Sequence, residues 1–263
     1  MSNPYLAVLK INIKGATAYK VDLALYTLFN MLKSLILIFV FYAVYQFSNV
    51  STLNGITFSS IMIYFFVIGS MDYITGSAIA MTLQADIKEG SITNSLIRPI
   101  SYISIVFLST IPIDLLLFIF TTIPILVLIY LIAGIHLSGF IIIAFAIGIL
   151  IAYIISNLLS FIVGSLSIYF VDIQGMLEGT IWITEILGGG IVPIMLFPKI
   201  ISSVLMLTPF PFIIFVPAGI FTGIINANII NILIVGIVWV IILALISKIV
   251  WKRVSKNMNV VGV

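Results

Sequence analysis

Long, nearly uncharged runs of Ile, Leu, Val and Phe recur along this chain from about residue 22 to residue 250. Most of them reach the ~20 residues that an α-helix needs to cross the hydrocarbon core of a bilayer. A helix also satisfies its own backbone groups, which lipid cannot do. The runs do not alternate apolar with polar residues, so a membrane β-barrel has no support. Composition removes the remaining alternative: 63% of the residues are hydrophobic and 7% charged, against about half and a quarter in soluble domains. Too little polar side chain exists to cover a water-facing surface. The expectation is an all-α polytopic membrane protein with about six transmembrane helices in one domain spanning residues 1–263.

The chain opens with a moderately apolar stretch carrying Lys10, Lys14 and Lys20, which reads as an amphipathic helix lying in the interface over residues 1–21. It lacks the short apolar core and small-residue cleavage site of a removable signal peptide. Spans are expected at 22–47 and 56–83, separated by the polar turn SNVSTLNGIT. The most hydrophilic stretch, 84–101, must lie outside the hydrocarbon. Further spans follow at 102–132, which contains Pro112 and Pro124, and at 140–170. A fifth, 174–193, is broken by Gly188, Gly189, Gly190 and Pro193. Pro198, Pro209, Pro211 and Pro217 continue the interruption, and a single straight helix would not tolerate them. Residues 194–222 are therefore expected to form re-entrant or broken helices, allowed only where protein or water covers the loose backbone. A sixth span is expected at 224–250, with a basic tail at 251–263.

Orientation follows from the lysines and arginines of the short connections. Lys10, Lys14, Lys20, Lys88, Arg98, Lys248, Lys252, Arg253 and Lys256 fall on one side, nine of the eleven basic residues. Both termini and the 84–101 loop are thus expected to be cytoplasmic. Lys199 falls on the opposite side and Lys33 inside a span.

Ionisable groups at membrane depth cost at least ~2.5 kcal/mol each, so each needs a partner or water. Lys33, Asp72, Asp114, Glu178 and Glu185 are in this position. Lys33 and Asp72 lie roughly 11 residues, or ~16 Å, from the cytoplasmic ends of their helices, with Asp114 and Glu185 close to the same level. Lys33 is expected to pair with an acid of a neighbouring span, most simply Asp72. The alternative is that Lys33 reaches back to the interface while Asp72 meets a backbone or hydroxyl group. Glu178 and Glu185, seven apart, share a helix face that could line a watery cleft, with Glu178 better placed at the cytoplasmic interface. In the fourth span Ala144, Gly148, Ala152, Ser156, Ser160 and Gly164 place a small residue at every fourth position, the pattern of a close helix–helix seam.

Several chemistries lack residues. There is no cysteine, hence no disulfide or thiolate nucleophile. No GxxxxGK[ST] loop occurs, so ATP is not bound by that route. The single histidine, His136, sits in an extracytoplasmic turn and supports neither a metal site nor a catalytic triad. GSMDY around Asp72 resembles the glycine–aspartate motif of intramembrane aspartyl proteases only faintly, because Met71 replaces the glycine before the aspartate. A net charge of +3 is too small to imply nucleic acid.

The segment ADIKEGSITNSLIRPIS resembles the cytoplasmic loop between the second and third spans of ABC-2 type permeases, in which an acidic-basic-glycine turn precedes a short helix ending in Arg/Lys-Pro. TPFPFIIFVPAGIFTG, residues 208–223, is similar to the late P-F … P-A … G pattern of the ABC-2 subfamily whose members often work as pairs of related permeases with one ATPase. The resemblance implies a permease subunit of an exporter in the cell membrane, dimeric with itself or a related permease. A separate cytosolic ATPase would bind ATP and Mg and drive it. It further implies that Asp86, Lys88, Glu89, Gly90, Arg98 and Pro99 belong to an ATPase-coupling loop. The interrupted segment from Gly188 to Pro217 would gate the outer exit for an apolar or amphipathic substrate. Lys33 departs from the family pattern. The alternative reading is an ion-coupled secondary transporter protonated at Asp72, Asp114 or Glu185, although no inverted repeat is visible.

Overall fold

The computed structural model describes residues 20–75, 78–90, 92, 102–133, 137–170 and 172–258. The expected interfacial helix, Arg98, Pro99 and His136 lie outside these residues, apart from the backbone of Lys20 and Val21, where the first helix begins.

Helix α1, Lys20–Ser48, is followed by a hairpin of two short strands, β1 (Thr52–Leu53) and β2 (Ile56–Thr57). The strands are antiparallel, with Thr52 opposite Thr57 and Leu53 opposite Ile56. Asn54 and Gly55 both have positive φ (49° and 81°), the Asn-Gly turn whose twist matches that of a two-residue hairpin. Thr57 then caps helix α2, Phe58–Met71, by accepting a hydrogen bond from the Ser60 backbone N–H. The chain tightens into a 3₁₀ turn at Asp72–Thr75 before helix α3, Ala78–Lys88. Residues 84–88, expected to begin the polar loop, are the last turn of α3. The helix stops only where Gly90 takes φ +69°.

The third long helix is α4, Tyr102–Leu117, a π turn at Phe118–Thr122, and α5, Ile123–Ala133. Pro124 has no N–H to bond within the preceding turn, and widening that turn accommodates it without breaking the helix. The π turn also places Thr122, whose hydroxyl donates to the Ser70 carbonyl at 2.7 Å, where α2 gives way to the 3₁₀ turn. Helix α6, Gly139–Ser165, is capped by Ser138, which accepts from the Ile141 N–H.

Among the described residues, five helices are long and apolar enough to cross a membrane: Ala24–Ser48, Phe58–Lys88, Tyr102–Ala133, Gly139–Ile168 and Ile229–Lys256. The expected fifth span differs. Helix α7, Gln174–Leu187, has 14 residues, about 21 Å at 1.5 Å per residue, less than the ~30 Å hydrocarbon thickness. The glycines at 188–190 end it. A broken path follows: 3₁₀ turns at Ile194–Leu196 and Phe210–Phe212, and the seven-residue helices α8, Lys199–Leu205, and α9, Phe215–Phe221. Most of its prolines lie at the start of a local element. Pro198 precedes α8, Pro209 precedes its 3₁₀ turn, and Pro217 lies in the first turn of α9, where a missing N–H costs no helical bond. Helix α10, Ile229–Met258, closes the bundle.

The core forms around α6. Ala144, Gly148, Ala152, Ser156, Ser160 and Gly164 are all buried, and the row meets two different elements. At one end, a Cβ on Gly164 would come within 2.6 Å of the Ala80 Cα, and the Ser160 hydroxyl accepts from the Ala80 N–H at 3.1 Å. Toward the other end, Gly148 packs on Pro217 of α9. Every residue of α9 is buried, so this short helix keeps its backbone away from lipid.

Candidate functional site

Three charged side chains from three separate segments meet inside the bundle. The Lys33 ammonium lies 2.8 Å from Glu185 Oε1 and 3.3 Å from Asp72 Oδ1. Tyr26, one heptad before Lys33 and therefore on the same face of α1, donates to Asp72 Oδ2 at 3.1 Å. Asp72 is the first residue of the 3₁₀ turn after α2, and Glu185 is the third residue from the C-terminal end of α7. Lys33 thus lies between both acids, whereas sequence level alone favoured Asp72. Glu185 does not open onto a cleft within this chain: it is 3% exposed. Glu178, two turns earlier, is exposed and accepts from the Gln174 side chain.

The glycines after α7 build the wall behind Glu185. Gly188 N–H returns to the Thr184 carbonyl at 2.7 Å, and Gly190 N–H to the Glu185 carbonyl at 2.8 Å. Between them Gly189 adopts φ +88°, the left-handed residue of a Schellman-type stop. Its carbonyl accepts from the fully buried Tyr64 hydroxyl at 2.8 Å, and the Gly188 carbonyl accepts from the Phe215 N–H at 3.0 Å. A Cβ at Gly190 would collide with the Glu185 carboxylate. Pro193 leads directly into the first 3₁₀ turn. The triple glycine therefore ends α7, joins it to α2 and α9, and leaves room for the acid.

Asp114 does not join this cluster through a direct contact. It accepts from the Tyr153 hydroxyl of α6 at 2.7 Å. At the other end of the bundle, Asp86 accepts from the Tyr102 hydroxyl at 2.7 Å. The Tyr102 ring stacks on Trp251 of α10 with centroids 5.3 Å apart, and Trp251 also meets Phe161 of α6. Lys88 and Glu89 are exposed at the end of α3. Nearby, Asp172 accepts from the Gln174 N–H and the Gln84 side chain. The Gln174 N–H foremost, then Gln84, and the more distant Lys88 charge hold its carboxyl below the usual carboxylate range.

The partners most easily missed in the sequence were the tyrosines. Tyr26 stands one heptad from Lys33, a spacing the sequence shows but that does not by itself read as a contact, whereas Tyr64, Tyr102 and Tyr153 carry no such mark. Among the described residues no group of three or more metal-ligating side chains converges.

A bundle with five helices long and apolar enough to cross a membrane among its described residues is a multi-pass helical membrane protein. The sequence pattern of a family described as ABC-2 family transporter protein matches residues 19–262, and the chain belongs to that family. It is accordingly a membrane permease of an ABC-type transporter rather than an enzyme. No curated protein matches the chain.

Proposed function

We propose that this chain is the permease subunit of an ATP-driven exporter of apolar or amphipathic substrates. It would assemble in the cell membrane with a second copy of itself or a related permease, and with cytosolic nucleotide-binding subunits that hold ATP and Mg. The observation that carries the pathway is the position of Lys33. Its side chain is 41% exposed on a helix whose other outward residues, such as Phe29 and Ile36, are apolar. Against lipid, an exposed ammonium at that depth costs at least ~2.5 kcal/mol. A water-lined path or a second permease lying along α1 and α7 removes the cost.

In this reading α7 and the broken segment that follows it complete a sixth crossing. Residues 194–222 re-enter the membrane from outside and gate the exit, with Gly188–Gly190 as the joint. Both termini are cytoplasmic. Residues 84–101 engage the ATPase: Lys88 and Glu89 present charge, while Asp86, held by Tyr102, ties the segment to α4 and through Trp251 to α10. Arg98 and Pro99 complete the segment as the family pattern implies.

Charge reversal at Lys88 and Glu89, alone and with Arg98, tests the drive segment by co-purification of the nucleotide-binding subunit and by permease-dependent ATPase activity. The expected loss is about tenfold or more in association, equivalent to about 1.4 kcal/mol. Unchanged association and ATPase activity would refute the assignment.

A further inference from the structure

Lys33, Asp72 and Glu185 carry two carboxylates for one ammonium. If all three are ionised, the cluster holds a net negative charge at membrane depth. Its two acids are not supplied alike. Asp72 accepts from Lys33 on Oδ1 and from Tyr26 on Oδ2. Glu185 accepts from Lys33 on Oε1, but its Oε2 is buried and has no hydrogen-bond donor among the described residues. The packing accounts for this. Gly190 lies against Oε2, the Tyr64 hydroxyl is committed to the Gly189 carbonyl, and the segment facing the acid from α9's side contributes the apolar Ile213 and Ile214. Glu185 and Asp72 also line one small cavity of about 10 Å³ with these isoleucines, Ile68 and Met71. That volume lies at the lower edge of what a single water needs.

We propose that Glu185 is a proton-binding site of this permease. One proton taken from water adds to Oε2, which becomes the hydroxyl of a carboxylic acid. Oε1 remains a carbonyl oxygen able to accept from Lys33, and Lys33 with Asp72 is left as a balanced ion pair. A buried carboxylate oxygen without a donor keeps its share of charge at a desolvation cost that protonation removes, and two carboxylates sharing one ammonium do not both ionise readily. Among the described residues the other titratable groups at the site, Tyr26 and Tyr64, act as neutral donors and leave the count unchanged. The site lies at the joint between α7 and the broken segment, so gain or loss of the proton alters what holds α7 to α1. The inference rests on the buried geometry and not on the drive-segment reading, so each can fail without the other.

The test is infrared spectroscopy of the full-length permease complex in lipid, titrated from acid to alkaline pH in H₂O and D₂O. The expected result is a carboxylic-acid C=O stretch that shifts in D₂O, is absent from Glu185→Gln, and persists in Asp114→Asn. If Glu185→Gln does not fold, glutamate-specific ¹³C labelling of the unaltered chain serves instead. The chain has three glutamates, and the other two, Glu89 and Glu178, are exposed, so a labelled acid band surviving into neutral and alkaline pH belongs to Glu185. Absence of such a band above the pH at which exposed glutamates ionise overturns the proposal. It would leave Glu185 as an ionised partner of Lys33, with its second oxygen hydrated.

Discussion

Replacing Lys33 by Met leaves Asp72 and Glu185 without the ammonium that bridges them. Removing one member of a buried charge cluster typically costs more than the cluster contributes, because the remaining charge stays desolvated. Because the Lys33 side chain is 41% exposed while both acids are largely buried, the expected destabilisation falls below that of a fully buried pair, about 1–3 kcal/mol, read as a lower unfolding temperature of the detergent-solubilised chain. Adding Asp72→Asn to Lys33→Met should recover much of that loss, and simple additivity of the two would show that they do not interact. At Gly189, φ +88° makes Ala unfavourable by about 1–2 kcal/mol. The Cβ would also sit 3.0 Å from the Tyr64 hydroxyl. Gly189→Ala should therefore destabilise the joint while leaving the helices intact by circular dichroism. That Lys33, Asp72 and Glu185 fall at one level along their helices, where they meet, was expected from helix rise alone. Which acid Lys33 meets was not legible there, because that depends on how α7 lies against α1.

The small-residue row of α6 is the clearest case in which an element's sequence pattern states its packing. Gly164→Leu would drive a side chain into the Ala80 backbone, where even a Cβ has no room. Overpacking of this kind costs about 1–3 kcal/mol when neighbours can yield; a backbone neighbour yields little, so the upper end is expected. Ala at Gly148, which meets Pro217 at ordinary contact distance (3.5 Å), should cost much less, and comparing the two variants by thermal unfolding separates a seam from a generic apolar face. The link between α6 and α7 has its own pH dependence. The Asp172 carboxyl is depressed by the Gln174 N–H and by Gln84, so its contribution is present above the ordinary carboxylate range and is lost as pH falls through the depressed value. In Asp172→Asn that acid-side loss should be smaller, as followed by hydrogen exchange of the first turn of α7.

For the whole molecule, the absence of cysteine makes the topology directly measurable. Ser203 in α8 and Lys256 in α10 are both exposed. With a cysteine placed singly at each, a membrane-impermeant maleimide should label position 203 in intact cells and position 256 only after permeabilisation. Labelling of both from the same side would contradict a cytoplasmic C-terminus with an outward-facing broken segment.

The apolar runs and the lack of polar side chain by themselves determined that this chain lives in a bilayer as helices, since helices and closed barrels alone satisfy the backbone there and the runs lack a barrel's alternation. The prolines and glycines between 188 and 217 likewise announced an interruption. What those residues become was decided by tertiary packing. The seven-residue α9 has no stability of its own and exists because α6 and its neighbours bury it on every side. The charged cluster follows the same division. Its members were visible as costly residues at one depth, but their pairing is set by three segments converging, which no local pattern encodes.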